Sequence, residues 1–272
     1  MLRDITLGQY YQTESVLHRL DPRVKLMGTL VFLISLFLFQ NFTGYIVATL
    51  FLVSMIALSR VPVSFMFKGL KAVIILLMIT VLINLFATPG ETVVSFWKLT
   101  ITKEGIYTAL FMMFRLIYLI IGSSIMTLTT TPGNLTDGME KALSPLSHIR
   151  VPVHEIAMMM SIALSFIPIL LDETDKIMKA QMARGADFES GNIFRRVKNM
   201  VPLLVPLFIS AFRRANDLAL AMEARCYRGG SGRTKMKPLK YHLRDLAGYV
   251  ILAVYLAAII VVPRVVDKIF VQ

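Results

Sequence analysis

Long uncharged segments, rich in apolar residues, separate short charged segments along this chain. Uncharged runs of 34, 19, 21 and 18 residues occupy positions 26–59, 72–90, 116–136 and 246–263. One helix needs about 20 predominantly apolar residues to cross a bilayer core. The pattern therefore predicts an all-α membrane protein with several spans. It excludes a soluble enzyme, and it excludes a transmembrane β-barrel, whose strands would alternate with a period of two residues.

The first of these runs is too long for one span. As a single helix it would extend about 51 Å, and the polar residues 40–44 divide it into a helical hairpin. Residues 72–88 are the third predicted span, the fourth lies within 105–129, and the last is 246–262. The sequence therefore predicts about five transmembrane helices.

Residues 137–245 have a different composition. They hold 17 of the 29 basic residues and 11 of the 17 acidic ones. Two apolar stretches in this part, 156–171 and 199–212, are short for spans, and each contains proline. We interpret them as the apolar beginnings of long amphipathic helices that lie inside the cell or against the cytoplasmic leaflet.

This part of the chain predicts three amphipathic helices, of which two are long and cross each other. They run from Pro132 to Leu146, from Pro152 to Arg184, and from near Pro202 to about Arg225. The domain organisation that follows is 1–130 for the first four spans, 131–244 for a cytoplasmic helical module and 245–272 for the final span.

The placement of lysine and arginine predicts which side of the membrane each loop faces, because basic loops stay in the cytoplasm. The turn near Asn41 carries no charge, and the loop 89–103 carries only two basic residues. The basic residues before the first span and between the second and third are Arg3, Arg19, Arg23, Lys25, Arg60, Lys68 and Lys71. The N-terminus is therefore predicted inside the cell and the C-terminus outside.

Composition removes several classes of function. The net charge is +12, but no aromatic residues are interleaved with the basic ones, so nucleic-acid binding is excluded. The single cysteine, Cys226, allows neither a disulfide framework nor a thiolate metal cluster. The four histidines lack metal-ligand spacing and no phosphate-binding loop occurs. We therefore expect no metal, no cofactor and no ATP hydrolysis in this chain.

One short pattern occurs twice. Ala-x-x-Ala-Arg ends both long helices, at 180–184 and at 221–225, which are 41 residues apart. An arginine at a helix C-terminus can bind the last carbonyls and complement the helix dipole. The alternative is that two like sites bind two like partners, and the duplication favours it.

Four segments resemble the transmembrane T component of energy-coupling factor transporters, which are ABC-type uptake systems. These segments are Ser15–Leu26, Val151–Glu155, Phe166–Pro168 and Lys179–Gly185. The resemblance implies that each arginine motif docks a coupling helix into a groove of one ATPase subunit. The motif positions that it implies are Ala183, Arg184, Gly185, Ala224, Arg225 and Cys226. Cys226 replaces the glycine of the pattern, so the shape of the second helix end stays open.

The resemblance also implies a function. The chain is expected to be a non-catalytic scaffold in the cell membrane that links two cytoplasmic ABC ATPase subunits to a small membrane S component. It would transmit ATP-driven motion for uptake of a vitamin or similar micronutrient, with ATP and Mg²⁺ bound by the ATPases. A conventional ABC permease subunit is the alternative. An intramembrane transferase is less favoured, because Asp172, Glu173 and Asp175 would face different directions on a helix.

Arg115 is a candidate polar site within the membrane. It lies about ten residues into the fourth predicted span, where an arginine costs about 2.5–3.5 kcal/mol on insertion scales and suggests a function by default. The alternative is that the span begins later, after a membrane-surface segment at 107–114. A buried Arg115 is expected to face a partner or the helix bundle.

Overall fold

The computed structural model describes residues 10–39, 41–96, 99–188, 192–230, 236 and 238–270. These residues divide into two compact units. The bundle unit comprises residues 8–139 and 239–272, and the long-helix unit comprises residues 140–238. Gln40, the first residue of the predicted break at 40–44, and the terminal residue Gln272 lie outside the described residues.

The described chain is almost entirely helical, which confirms the predicted all-α membrane class. A short 3₁₀ helix at Ser144–Ile149 separates α5 from α6. The remaining elements are α1 Pro22–Ser35, α2 Phe42–Ser59, α3 Val63–Ala87, β1 Thr92–Phe96, β2 Leu99–Thr102, α4 Lys103–Thr129, α5 Pro132–Ala142, α6 Val153–Ala183, α7 Ile193–Ala224 and α8 Leu243–Phe270.

A β-hairpin occupies the segment that the sequence predicts only as the loop 89–103. Strands β1 and β2 pair antiparallel, with Phe96 opposite Leu99 and Ser95 opposite Thr100. The β-branched residues of the segment favour extended backbone. Thr102 is the N-cap of α4, and its hydroxyl accepts a hydrogen bond from the Gly105 N–H at 3.0 Å.

The core of the bundle unit is aromatic. The Tyr45 hydroxyl donates to the Phe111 carbonyl at 2.9 Å, which joins α2 to α4. Tyr255 of α8 stacks on Phe51 with 4.1 Å between ring centroids, and its hydroxyl lies 2.6 Å from that of Ser35. Buried hydroxyls in a membrane helix bundle need such partners, because lipid offers none.

One buried carboxylate closes the bundle unit where α1 and α8 begin. The Asp245 side chain is 1% exposed, and it accepts the Asp21 N–H at 2.8 Å and the His242 N–H at 2.7 Å. The Asp21 side chain in turn accepts the Arg23 N–H at 2.9 Å, which caps α1. The carboxylate thus joins two helix beginnings that are 224 residues apart in sequence.

His18 makes two hydrogen-bonding contacts in the segment before α1. Its Nε2 lies 3.0 Å from the Tyr11 carbonyl and its Nδ1 lies 2.7 Å from the Ser15 hydroxyl. Burial lowers the pKa of His18, because the charged ring would lose water, and the nearby Lys25 acts in the same direction. The two contacts suit one neutral tautomer, in which Nε2–H donates to the carbonyl and Nδ1 accepts from the hydroxyl.

Four described helices are long and apolar enough to cross a membrane: Phe42–Ser59, Lys103–Thr129, Val153–Ala183 and Leu243–Val266. A fifth results if the two parts of α3, which meet at a bend of 63°, are one span. The total of five spans agrees with the number predicted from the sequence, but the helices that make up this total differ from the predicted ones. Helix α1 has only 14 residues and is not among them, whereas α6, expected in the cytoplasm, is.

Two predicted helix boundaries are wrong. Helix α7 begins at Ile193, nine residues before the predicted start at Pro202, so Pro202 and Pro206 lie inside it. Helix α5 ends at Ala142 instead of Leu146, and the 3₁₀ helix follows, with Pro145 in its first turn. Proline lacks the N–H of the helical ladder. The long α7 tolerates that loss at two places, whereas the short α5 ends before its proline.

Candidate docking sites at the ends of two long helices

Helices α6 and α7 run antiparallel within the long-helix unit. Gln181, near the end of α6, donates to the Pro202 carbonyl at 3.3 Å. Later in α7 and earlier in α6, the Arg214 guanidinium lies 3.2 Å from the Glu173 carboxylate. Beyond α7, Gly230 lies against the ring of His154, in the first turn of α6. The two arginine motifs therefore lie toward opposite ends of α6, which is about 46 Å long at 1.5 Å per residue.

The first motif ends α6 in a Schellman turn. Gly185 has φ +87°, and its N–H bonds the Met182 carbonyl at 3.0 Å. The next N–H, of Ala186, bonds the Gln181 carbonyl at 3.0 Å. These are the two bonds that define the turn. Arg184 is the last residue before the left-handed position.

The second motif ends α7 in the same turn. Cys226 has φ +55°, and its N–H bonds the Glu223 carbonyl at 2.9 Å. The Tyr227 N–H bonds the Met222 carbonyl at 3.0 Å. Cysteine thus occupies the left-handed position that glycine occupies in the first motif. This answers the question that the sequence left open, because the substitution preserves the shape of the helix end.

Both arginines are exposed, and neither serves as a side-chain cap. The backbone N–H groups after each helix satisfy the carbonyls of its last turn, so the guanidinium groups are not needed there. Neither Arg184 nor Arg225 has an ion pair with the part of the chain that the structure describes. The two arginine side chains are therefore not required as hydrogen-bonding caps of these turns, although each charge still complements its helix dipole.

The alanines of the motifs keep both helix ends slender. Ala180 and Ala183 are exposed beside Arg184, and Ala221 and Ala224 are exposed beside Arg225. A methyl group extends little beyond the helix backbone, so a partner surface can approach the last turn closely. Each end thus offers a narrow, small-residue surface with one guanidinium at its tip.

A charged pair joins α6 to α7, and sequence analysis missed it. Glu173 and Arg214 are 41 residues apart, which is the spacing of the two motifs, so each lies eleven residues before its own motif arginine. An alignment of the two repeats extended toward the N-terminal side of the five-residue pattern would have shown Glu173 and Arg214 as equivalent positions. Glu173 of this pair is also the middle residue of the acidic cluster formed by Asp172, Glu173 and Asp175. No group of three metal-ligating residues occurs among the described residues.

Arg115 lies inside the bundle unit. Helix α4 is continuous from Lys103 to Thr129, so the segment 107–114 belongs to it and Arg115 lies near its middle. The guanidinium carbon lies 4.8 Å from the centre of the Phe111 ring and 5.0 Å from that of Phe37. Arg115 is thus half-buried, with its charge over two aromatic rings, and its depth in the membrane stays a prediction.

The cation–π contacts lower the cost of this charge without fully satisfying it. Such a contact is worth about 0.5–2 kcal/mol, more when the groups are desolvated. The Nε of Arg115 is buried and has no hydrogen-bond partner within the described residues. An arginine within a candidate span with a donor unused is a functional-site hypothesis by default.

Comparison with known proteins identifies the family. The family model described as cobalt transport protein, CbiQ, matches residues 13–236. The chain is also similar to proteins described as energy-coupling factor transporter transmembrane protein EcfT. The relative from Clostridium kluyveri is 56% identical over 247 residues, which are 90% of this chain and 92% of the relative. The relative from Ruminiclostridium cellulolyticum is 51% identical over 265 residues, which are 97% of this chain and 99% of the relative.

The chain belongs to the transmembrane T components of energy-coupling factor transporters. This confirms the family that the sequence motifs suggested. A T component is a multi-pass membrane subunit of a transporter and not a catalytic enzyme, which sets the intramembrane transferase aside. The docking role of the two motifs and the role of Arg115 stay predictions for this T component.

The left-handed cysteine makes the two helix ends of the T component differ in stability. A non-glycine residue in the left-handed conformation costs about 1–2 kcal/mol. We expect Cys226→Gly to raise the free energy of unfolding by up to about 1 kcal/mol, measured as a higher melting temperature of the purified chain. Gly185→Ala is the matched opposite change and should lower the melting temperature. A lower melting temperature for Cys226→Gly would show that the left-handed geometry at Cys226 is wrong.

Replacing Arg115 tests whether its charge has a function. Arg115→Leu removes the charge and should lower substrate uptake, while membrane insertion stays at the wild-type level because leucine is favoured in the bilayer. Arg115→Lys keeps the charge and should retain more uptake. Both variants are compared by uptake per amount of inserted protein. Unchanged uptake with Arg115→Leu would show that the charge has no functional role.

Proposed function

We propose that this T component is the scaffold of an energy-coupling factor importer, which links two cytoplasmic ABC ATPase subunits to a membrane S component. The observation that carries the proposal is the duplicated helix end. Arg184 and Arg225 each follow the same pattern of alanines, and each directly precedes the left-handed residue of a Schellman turn. Two equivalent tips suit two equivalent partners.

The chemistry of the tips suits docking into an acidic or carbonyl-lined groove. A guanidinium presents five N–H donors in a rigid fork, and its bonds to carboxylates are charge-assisted and short. The exposed alanines allow the last helical turn to enter the groove with the arginine. ATP and Mg²⁺ would bind in the partner subunits, and none of the residues proposed here contacts them.

The distance between the tips supports two docking events instead of one. The tips lie toward opposite ends of α6, which is about 46 Å long. One groove that receives a single helix end cannot reach both. Two ATPases that approach and separate during their cycle would therefore act on the two ends of one helix pair, and the pair would work as a lever.

An exposed apolar face of α7 supports a link to the membrane partner. The residues of this face follow one another at intervals of three or four, and all are more than 36% exposed. They are Phe194, Val197, Val201, Val205, Phe208 and Phe212. Such a stripe on a charged helix suits contact with lipid or with an apolar membrane protein. We assign it to the S component.

The proposed cargo is a vitamin or similar micronutrient, recognised by the S component. The name of the matched family refers to cobalt transport. Among the described residues, no group of three potential metal ligands occurs that could hold a metal cargo in this chain. The cargo is therefore best sought in the partner, and co-purification of a small hydrophobic protein would identify it. A self-sufficient permease would transport its cargo without such a protein.

The decisive test removes the two arginines separately and together. Losing one partner of a buried charged hydrogen bond typically costs roughly 2–5 kcal/mol. Arg184→Ala and Arg225→Ala should each lower the amount of ATPase that co-purifies with the T component, and each should lower uptake. The double variant should release the ATPases, while the S component still binds its substrate.

Arg213→Ala is the matched control. Arg213 is an exposed arginine of α7 that lies outside both motifs, so its loss should leave assembly and uptake unchanged. A double variant of Arg184 and Arg225 that kept a normal ATPase complement and normal uptake would refute the docking role.

The proposal also requires that the long-helix unit lies in the cytoplasm, with the N-terminus inside the cell and the C-terminus outside. In a Cys226→Ser background, Asn192→Cys should resist a membrane-impermeant thiol reagent in intact cells and react after permeabilisation. A cysteine at Gln272 should react in intact cells. Labelling of Asn192→Cys in intact cells would mean that α6 crosses the membrane.

A further inference from the structure

A cavity of about 240 Å³ lies inside the bundle unit, between α1, α2, α4 and α8. Its walls are almost wholly apolar and include Leu20, Val24, Phe51 and Ile125. The cavity is larger than the apolar cavity of about 150 Å³ that stays dry and binds benzene in an engineered protein. Its chemistry therefore favours a hydrocarbon guest over water.

Close helix contacts keep this space from collapsing. A Cβ atom at Gly28 of α1 would lie 3.0 Å from a methyl carbon of Leu252, and one at Gly122 of α4 would lie 2.5 Å from the Phe32 ring. Both glycines also line the cavity. Since α1 already touches α8 and α4 at these points, the walls cannot move inward to fill the space.

The cavity is open to the surroundings of the bundle. Val16, Leu58 and Ile251 line it and are each exposed by more than 40% of their surface. Exposed apolar side chains at a mouth are unfavourable in water but favourable against lipid. A flexible apolar chain can therefore enter the cavity from the membrane.

The charged residues that line the cavity are both basic. Among the residues that line it, the charged ones are Lys25 and Arg244, and no acidic residue lines it. The Lys25 amine donates to the Thr129 carbonyl at 2.8 Å and to the His18 carbonyl at 3.2 Å, which leaves one of its three N–H groups for a further acceptor. Arg244 is exposed, and it has no ion pair with the described residues.

We propose that this cavity binds one anionic phospholipid. An acyl chain occupies the apolar space, and the phosphate contacts Arg244 and the remaining N–H of Lys25. The apolar walls by themselves would accept any hydrocarbon chain. Asp21 and Asp245 also lie where α1 and α8 begin, but they do not line the cavity and their carboxylates accept backbone N–H groups. The two basic residues of the cavity wall therefore select a negatively charged headgroup at the membrane surface there.

The test measures lipid retention by the full chain purified in detergent. Dioleoyl phosphatidylglycerol and dioleoyl phosphatidylcholine are added separately at the same molar ratio, and bound lipid is counted by native mass spectrometry. We expect one retained phosphatidylglycerol, a higher melting temperature with that lipid, and weaker retention of phosphatidylcholine. Equal retention of the two lipids, or retention of neither, would overturn the proposal.

Substitutions then locate the lipid. Arg244→Gln should weaken phosphatidylglycerol binding about fivefold, which corresponds to the ~1 kcal/mol typical of one basic residue near anionic lipid. Arg264→Gln changes an exposed arginine at the other end of α8, and it should have no effect. A phosphatidylglycerol preference that Arg244→Gln does not reduce would place the lipid elsewhere and overturn the proposal.

The last arm separates a lipid site from a simple anion site. Ala247→Phe adds a ring to the cavity wall and should reduce retention of both lipids, with melting in the absence of lipid as the check on folding. Inorganic phosphate alone should not raise the melting temperature of the wild-type chain. Stabilisation by phosphate equal to that by phosphatidylglycerol would show that no acyl chain is bound.

Discussion

The ends of the helices must satisfy their own backbone groups, and much of this structure follows from that constraint. An unsatisfied backbone group in a lipid environment costs several kcal/mol. At the beginnings of α1 and α8, the Asp21 and Asp245 carboxylates accept the free N–H groups. At the end of α4, the Lys25 amine donates to the Thr129 carbonyl. These three side chains close one end of the bundle unit, and their loss would leave these backbone groups without their present partners.

The long helices meet the same constraint differently, and this is why their arginines are available to partners. At the ends of α6 and α7 the backbone itself supplies the donors, through the left-handed Gly185 and Cys226. An arginine that capped its own helix would use its N–H donors to bind the last carbonyls of that helix. Here the carbonyls are satisfied without it, so the guanidiniums of Arg184 and Arg225 keep their full capacity for another surface. The turn at Cys226 forms although a non-glycine residue is unfavourable in the left-handed conformation. The end of α7 thus keeps the same backbone hydrogen bonds as the end of α6.

The sequence predicted the features that depend on local pattern. The apolar runs indicated a helical membrane protein, and the repeated Ala-x-x-Ala-Arg pattern indicated the ends of both long helices. Features that depend on long-range pairing were missed. Nothing near Asp245 signals that it accepts the Asp21 N–H, which lies 224 residues away, and Pro202 was given too much weight as a helix start. The β-hairpin was missed because its strands have only five and four residues and lie next to a much longer apolar helix.

The joint between α6 and α7 connects the duplicated ends mechanically. The Glu173–Arg214 pair is partly exposed, with side-chain exposures of 28% and 39%, and pairs of this kind contribute little to stability. The position of the pair matters more than its energy. It joins α6 to α7 at a point that lies about one-third of the length of α7 before Arg225. A force applied at Arg225 would act on α6 through this joint and through the Gln181–Pro202 contact. In the proposed importer, these two contacts would pass a displacement at one arginine tip to the other long helix.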